Sequence, residues 1–207
     1  LVLGALIGEA SIQGRDKLGI ITDNAFASLG SWLEQLIAES SGKEGKGIVP
    51  IDGEPVIIPP ASEKDRLYVY IKQDGSKDGL VKQLRSVGHP VLVIDVPCTK
   101  ELFAEFYRWE VAISYACMLL NVNTFDQPNV QLSKTLTKDY IKRYHEEGKL
   151  DLGDVLWENE KGAVYGKSFE GLPEAANLKE VISGFVAQAG EGDYIAINAY
   201  LPRNEKM

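Results

Sequence analysis

Three stretches of the chain combine residue types that can do chemistry. The first is Glu39-Ser40-Ser41-Gly42-Lys43-Glu44-Gly45-Lys46-Gly47, a carboxylate at the end of a helical pattern followed by a Gly/Lys-rich loop. A Glu held at a loop entrance can serve as a general base, and glycines let backbone approach a ligand closely. The same residues also read as a helix C-terminus whose solvated lysines complement the helix dipole. A nucleotide phosphate loop is excluded, because the G-x-x-x-x-G-K-S/T spacing is absent.

The second stretch runs from Asn123 through Phe125-Asp126-Gln127-Pro128-Asn129-Val130 to Ser133-Lys134. Its amides and one carboxylate lead into a helix, and Pro128 and Asn129 suit the approach to an N-terminus, a natural anion site. Lys134 in the first turns runs against the helix dipole, so it calls for an anionic partner or a functional reason. The alternative is an N-cap loop with a solvated lysine. The third stretch, Thr99–Leu120, carries Phe103, Phe106, Tyr107, Trp109, Ile113 and Met118 and reads as core packing rather than a cofactor box. Its Arg108 and Glu110 are free to pair with neighbours or to line a subunit contact. His89 and His145 are the only two histidines, and neither draws a role. No His/Cys/carboxylate cluster has metal-ligand spacing, and no G-x-S-x-G elbow supports a serine triad.

The elements that must position these residues alternate. Strands are expected at Lys17–Thr22, Gly47–Val49, Val56–Ile58, Leu67–Ile71 and Val91–Val96, the last a near-continuous apolar run of the kind buried on both faces. Asp23-Asn24 reads as an N-cap pair opening a helix over Ala25–Ser40, where Leu29, Trp32, Leu33, Leu36 and Ile37 recur at helical spacing. Further helices are expected over Gly79–Val87, from Thr99 to about Leu120, over Gln131–Glu147 and over Pro173–Ala189. Asp151–Lys167 reads as a loop or hairpin, and Tyr194–Tyr200 as a final strand. Strands and helices in this rhythm make βαβ units and a parallel sheet covered on both faces. In such sheets chemistry gathers at the carboxyl ends of strands and at the helix termini beside them. No internal repeat is visible.

Composition bounds the rest. The 207 residues are 44% hydrophobic and 25% charged, an ordinary globular balance, and a chain this long can bury roughly 70% of its unfolded surface without a disulfide or metal staple. A net charge of −8 argues against nucleic acid or anionic membrane as partner. Two cysteines, Cys98 and Cys117, make no disulfide framework, which points to a reducing compartment and a cytoplasmic location. Leu1–Ile7 is apolar but too short to span a bilayer, and no basic region precedes it. The chain starts inside this hydrophobic element without a methionine, as a piece of something longer would.

Taken together, the first two stretches resemble glucose-6-phosphate isomerase. The family's Glu-Ser-x-Gly-Lys element appears as Glu39-Ser40-Ser41-Gly42-Lys43. Its second signature, an aromatic, Asp-Gln, then an aliphatic and a lysine, appears as Phe125-Asp126-Gln127, Val130 and Lys134. Trp32–Glu39, Lys43–Gly47, Phe106–Glu110 and Phe125–Val130 look like the isomerase part of bacterial bifunctional transaldolase/glucose-6-phosphate isomerases. The likeness covers Leu1 to Lys149 well and the tail to Pro202 loosely.

What the resemblance implies is a sugar-isomerase (SIS) domain, a three-layer α-β-α sandwich with a mainly parallel, Rossmann-like sheet of five strands. The domain core would be 1–150, with 151–207 a C-terminal extension of helix and strand packed on it. The implied reaction interconverts glucose 6-phosphate and fructose 6-phosphate through a cis-enediol, with no metal and no cofactor. Carried over by position, Glu39 would move the proton between C1 and C2. Gln127, Ser41, Gly42 and Lys43 would bind substrate, and Lys134 would assist ring opening or stabilise negative charge. A base tuned to working pH and cations or amides beside the enediolate are what that chemistry needs. The phosphate-binding Ser/Thr loop and a Gly-Gly-Arg motif would lie in an upstream SIS domain of the same polypeptide, and a homodimer is implied. The family's loop histidine has no match around Asp78–Leu84, and His89 falls several residues later. A non-catalytic SIS module that binds a sugar phosphate or a partner protein, and an isomerase for another sugar, are the rival readings.

Overall fold

β-rich runs that are apolar on both sides need a layer of helices on each face, and the computed structural model supplies both layers. It describes residues 1–54, 58–60, 63–169, 177–190 and 193–200. The chain divides into two compact units, Leu1–Thr137 and Lys138–Met207. The first opens with helix α1 (Val2–Ile12), followed by β1 (Lys17–Thr22), α2 (Ala27–Ser41), β2 (Val49–Asp52) and β3 (Arg66–Lys72). It continues with α3 (Asp78–Ser86), β4 (Val91–Asp95), α4 (Leu102–Leu120) and the beginning of α5 (Pro128–Glu147).

The strands form one parallel sheet in the order β2-β1-β3-β4. Leu18, Ile20, Leu67, Val69 and Ile71 point to one face, where they meet Leu33 and Ile37 of α2 and Trp109 and Ile113 of α4. Tyr68 and Tyr70 point to the other, against Val81 and Leu84 of α3. The result is a three-layer α/β sandwich. Leu33 and Ile37 are fully buried, each contributing roughly 1.5–3 kcal/mol of transfer free energy. The apolar start of the chain is α1, laid against α4 so closely that a Cβ on Gly4 would collide with the Ala112 carbonyl oxygen. Among the described residues no helix is long and apolar enough to cross a membrane.

Several sequence expectations change. The sheet has four strands among the described residues, where the resemblance implies five. Val91–Asp95 is not buried on both faces: it is an edge strand with Val93 and Asp95 exposed, while β3 holds the fully buried position. An apolar run records burial potential, whereas strand order decides which run becomes central. Gly47–Val49 is shifted to Val49–Asp52, and most of the Val56–Ile58 candidate lies outside the described residues. Only one side of α4 faces the core. Trp109 and Ile113 are buried, but Phe103, Tyr107 and Met118 are exposed, so the expectation of core packing fails for those three.

In the second unit, Asp151–Lys167 contains an antiparallel hairpin of β5 (Asp154–Asn159) and β6 (Gly162–Gly166). Helix α6 (Leu178–Val186) starts in a capping box of Asn177 and Glu180, inside the longer helix expected over Pro173–Ala189, whose start lies outside the described residues. Tyr194–Tyr200 forms no regular strand. A strand needs a hydrogen-bonded neighbour, and among the described residues β5 and β6 pair only with each other.

Asp23 does not cap the helix that follows it. It makes no side-chain cap bond to the short 3-10 turn Asn24–Phe26 ahead of α2. Its fully buried carboxylate instead accepts from the Tyr70 hydroxyl (2.7 Å), the Ser76 hydroxyl (2.8 Å) and the backbone N–H groups of Gln73, Asp74 and Gly75 (2.8, 2.9 and 2.9 Å). Burial alone would raise this carboxyl, but the bonds from Tyr70, Gln73, Ser76 and Gly75 outweigh it and hold it well below the usual carboxylate range. Burial, and donation to Asp23, push the Tyr70 phenol up. A depressed carboxyl contributes stability that is complete above its unfolded value, near pH 4, and lost as pH falls below it. Asp23→Asn is therefore expected to cost about 2 kcal/mol at pH 7, and about 1 kcal/mol less at pH 3. Urea unfolding of both proteins at the two pH values measures this; a gap that stays constant would refute it.

Candidate functional site

Because β1 and β2 run parallel, α2 carries the chain back across the sheet and ends at the amino rim of the strands. Ser41 closes the helix there: its hydroxyl donates to the Ile37 carbonyl (2.7 Å) and accepts from the Ile48 N–H (3.0 Å). Between them Lys43–Lys46 is a tight turn with reciprocal backbone bonds of 3.1 and 3.0 Å. Glu44 and Gly45 both take positive φ, 58° and 72°, as a two-residue primed turn requires. The Gly/Lys loop is thus a defined reversal rather than a flexible cradle.

Its two lysines are engaged. Lys43 has a side chain only 2% exposed, and its ammonium donates to the Asn123 carbonyl (2.6 Å), the Asp126 carbonyl and Asp126 Oδ1 (2.8 Å). Lys46 donates to the Leu120 carbonyl at 3.0 Å, at the negative end of α4. Asn121, in the left-handed region at φ 54°, ends that helix and turns the chain toward the Lys43 ammonium.

Pinned this way, the segment after α4 brings the start of α5 beside the end of α2. Asn129 Nδ2 donates to the Gly42 carbonyl at 3.1 Å. A cleft of about 190 Å³ remains, with Ala38, Glu39, Gly42 and Lys43 on one side and Gln127, Pro128, Asn129 and Val130 on the other. Glu39 is half-buried, and Gln35, one turn earlier, donates to its Oε1 at 3.1 Å. The first backbone N–H groups of α5 have no partner within that helix and carry the positive end of its dipole. The cleft therefore pairs a carboxylate with an amide side chain and a helix N-terminus. Such a set can take a proton at one atom and steady negative charge at a neighbouring one.

The structure brings Glu39 and Gln127 together, with Gly42 at the wall. Lys43 also lines the cleft, but its ammonium is turned to internal acceptors, and Ser41 and Lys134 are not at the wall. Ser41 is fully buried and spends its hydroxyl on the backbone, and Lys43 holds the fold together rather than offering charge to an anion. Lys134 lies further along α5, exposed, and is not among the residues that line the cleft. His89 packs on the second sheet face, its Nε2 3.1 Å from the Pro59 carbonyl oxygen and its ring edge-on to Tyr68. Cys117 lies behind the cleft with Sγ 3.5 Å from the Ser40 carbonyl oxygen, and burial pushes its thiol up, which keeps it protonated. The site also sits at the amino rim, opposite the one where this topology usually collects ligands. Sequence reasoning missed Gln35 and the anchoring role of Asp126; the i, i+4 spacing of Gln35 to Glu39 was the available signal for the first.

Comparison with known proteins bears on this cleft. The chain is similar to glucose-6-phosphate isomerase from Leptospira biflexa serovar Patoc, in two lines of strain Patoc 1 (Ames, and ATCC 23582/Paris). The identity is 28% in each case, over 60% of this chain and 36% of the relative. It is a distant similarity. The chain spans about a third of the length of the curated relatives it matches. No protein-family model matches it. Among solved structures it superposes on the hypothetical protein TT0462 from Thermus thermophilus with a TM-score of 0.52 and 19% identity, over 67% of this chain and 44% of that one. That likeness shows the α/β fold.

Lys43→Met keeps the volume but leaves two carbonyls and a carboxylate without their donor, and is expected to cost roughly 2–3 kcal/mol. Asp126→Asn, at a half-exposed position that leaves both carbonyl bonds intact, is expected to cost under about 1 kcal/mol. Denaturant unfolding of the two variants checks the order; a Lys43→Met protein as stable as wild type would rule out the anchoring role.

Proposed function

We propose that this chain is the C-terminal SIS domain of a glucose-6-phosphate isomerase, of the kind found joined to a transaldolase. In this reading Glu39 is the acid/base that carries a proton between C1 and C2 of the sugar phosphate through a cis-enediol. Gln127 and the first N–H groups of α5 hold the oxygens that gain negative charge, and Gly42 shapes the wall. Lys134, exposed on α5, assists ring opening or charge stabilisation in the assembled enzyme. An upstream SIS domain supplies the phosphate loop, the assembly is a homodimer, the setting is the cytoplasm, and residues 151–207 form an extension of a 1–150 core.

The observation that carries the reading is the cleft itself, shared by Glu39 and Gln127 from the two motifs that mark the resemblance. The distant likeness to the Leptospira enzymes supports the reaction class. The test is conversion of fructose 6-phosphate by the polypeptide carrying both SIS domains, wild type against Glu39→Gln. Loss of the base is expected to lower kcat by roughly 10²–10⁴-fold with little change in KM. Near-wild-type turnover would end the assignment.

One observation favours a second reading, a non-catalytic SIS module that binds a sugar phosphate or a partner protein. Lys43 and Lys46 are bound to internal carbonyls, so the cleft has little cationic charge of its own. Turnover by the polypeptide carrying both SIS domains separates the two: the isomerase reading expects it and the module reading expects none. The isomerase reading expects no turnover from this part alone, and robust turnover would overturn the need for an upstream domain.

A further inference from the structure

The outer side of α4 carries an apolar surface that the cleft does not use. Phe103, Tyr107, Val111, Ser114 and Met118 recur at steps of three and four residues, which places them on one stripe of the helix. The inner stripe, with Trp109 and Ile113, is fully buried in the core. Phe103 is 82% exposed, Tyr107 70% and Met118 58%, and Phe125, beyond the end of the helix, is 86%. The three rings alone leave roughly 350–600 Å² uncovered, as much as the largest patch on an ordinary monomer. A standard interface buries about 800 Å² of each partner, so this patch supplies a large part of one.

A groove of about 470 Å³ lies along the stripe, and Leu1, Glu110, Val111, Met118 and Phe125 are in its lining. Glu110 is the one charged side chain there. Its backbone carbonyl accepts from the Ser114 hydroxyl, while its carboxylate makes no ion pair among the described residues. Phe125 belongs to the same short connection that brings Gln127 to the cleft, so groove and cleft share one segment of chain.

We propose that this face of α4 seats the upstream SIS domain, as an interface within one polypeptide. The interface rests on the isomerase reading, in which that domain precedes Leu1 and delivers a phosphate loop to Glu39 and Gln127. A domain attached at Leu1 and serving Gln127 meets this groove on the way, because the groove is lined by Leu1 and by Phe125. The docking surface it presents is apolar, with one cation or N–H donor opposite Glu110, since a carboxylate desolvated by docking needs a partner.

Peroxide oxidation of Met118, followed by mass spectrometry of its peptide, reads the face directly. In the polypeptide carrying both SIS domains, Met118 is expected to oxidise about tenfold or more slower than in the same polypeptide unfolded in urea. That protection is expected to be the same in dilute and in concentrated solution. Tyr107→Asp, at a ring outside the core of this domain, is expected to return Met118 to near the unfolded rate. Phe103→Ser carries the same test if the aspartate variant does not fold. Oxidation of wild-type Met118 at the unfolded rate overturns the proposal, as does protection that both variants leave intact. Protection lost on dilution overturns it too, because the occupant is then a second copy. The Glu39→Gln assay reports on the reaction and oxidation reports on the contact, so the two readings fail separately.

Discussion

An ammonium group with its side chain 2% exposed must find all of its partners inside the protein, and Lys43 finds three acceptors for its three N–H bonds. Two of them are backbone carbonyls, so the constraint falls on the path of the chain and not only on a side chain. It holds the segment after α4 against the turn that follows α2. The position of Gln127 beside Glu39, and with it the cleft, depends on that one buried cation. Hydrophobic burial could hold the same layers together in several registers, because it is not directional. A buried charge selects one.

The two rims of the sheet are organised by opposite charges. At the amino rim a cation from the α2–β2 turn gathers carbonyls; at the carboxyl rim the Asp23 anion gathers N–H groups from the β3–α3 loop. In each case the charge comes from one connection and the ligands from another that is distant in sequence. Loops that would otherwise be free to vary are thereby tied to their neighbours. The open cleft lies beside the cation, and the crevice that the topology favours for ligands is taken by the anion.

Much of the fold was legible in the pattern of residues. The helical spacing of Leu29, Leu33 and Ile37, the apolar run Leu67–Ile71 and the strand–helix rhythm lead to a parallel α/β sandwich, and the structure has one. Edge and centre were not legible. Val91–Val96 reads as a strand buried on both faces but lies at the edge, since strand order follows from the crossover connections. Tyr194–Tyr200 has strand composition without a strand, because pairing needs a neighbour that composition does not supply. Of the candidate site, Glu39 and Gln127 are named through the resemblance their two motifs carry, and the structure places both at one cleft. Ser41 and Lys43 belong to the same motif, yet they serve the backbone.

By itself the sequence determined residue chemistry and local periodicity: which segments coil, which extend, and which two short motifs carry a carboxylate, an amide and lysines. Those properties act over a few residues and survive in any arrangement of the chain. Only the tertiary structure decided which of the polar groups face solvent and which are consumed. A lysine written next to two glycines is the same lysine whether it meets a substrate or a carbonyl. Its partner is chosen when distant loops are brought within hydrogen-bonding distance, where desolvation makes an unpaired charge too costly to leave alone.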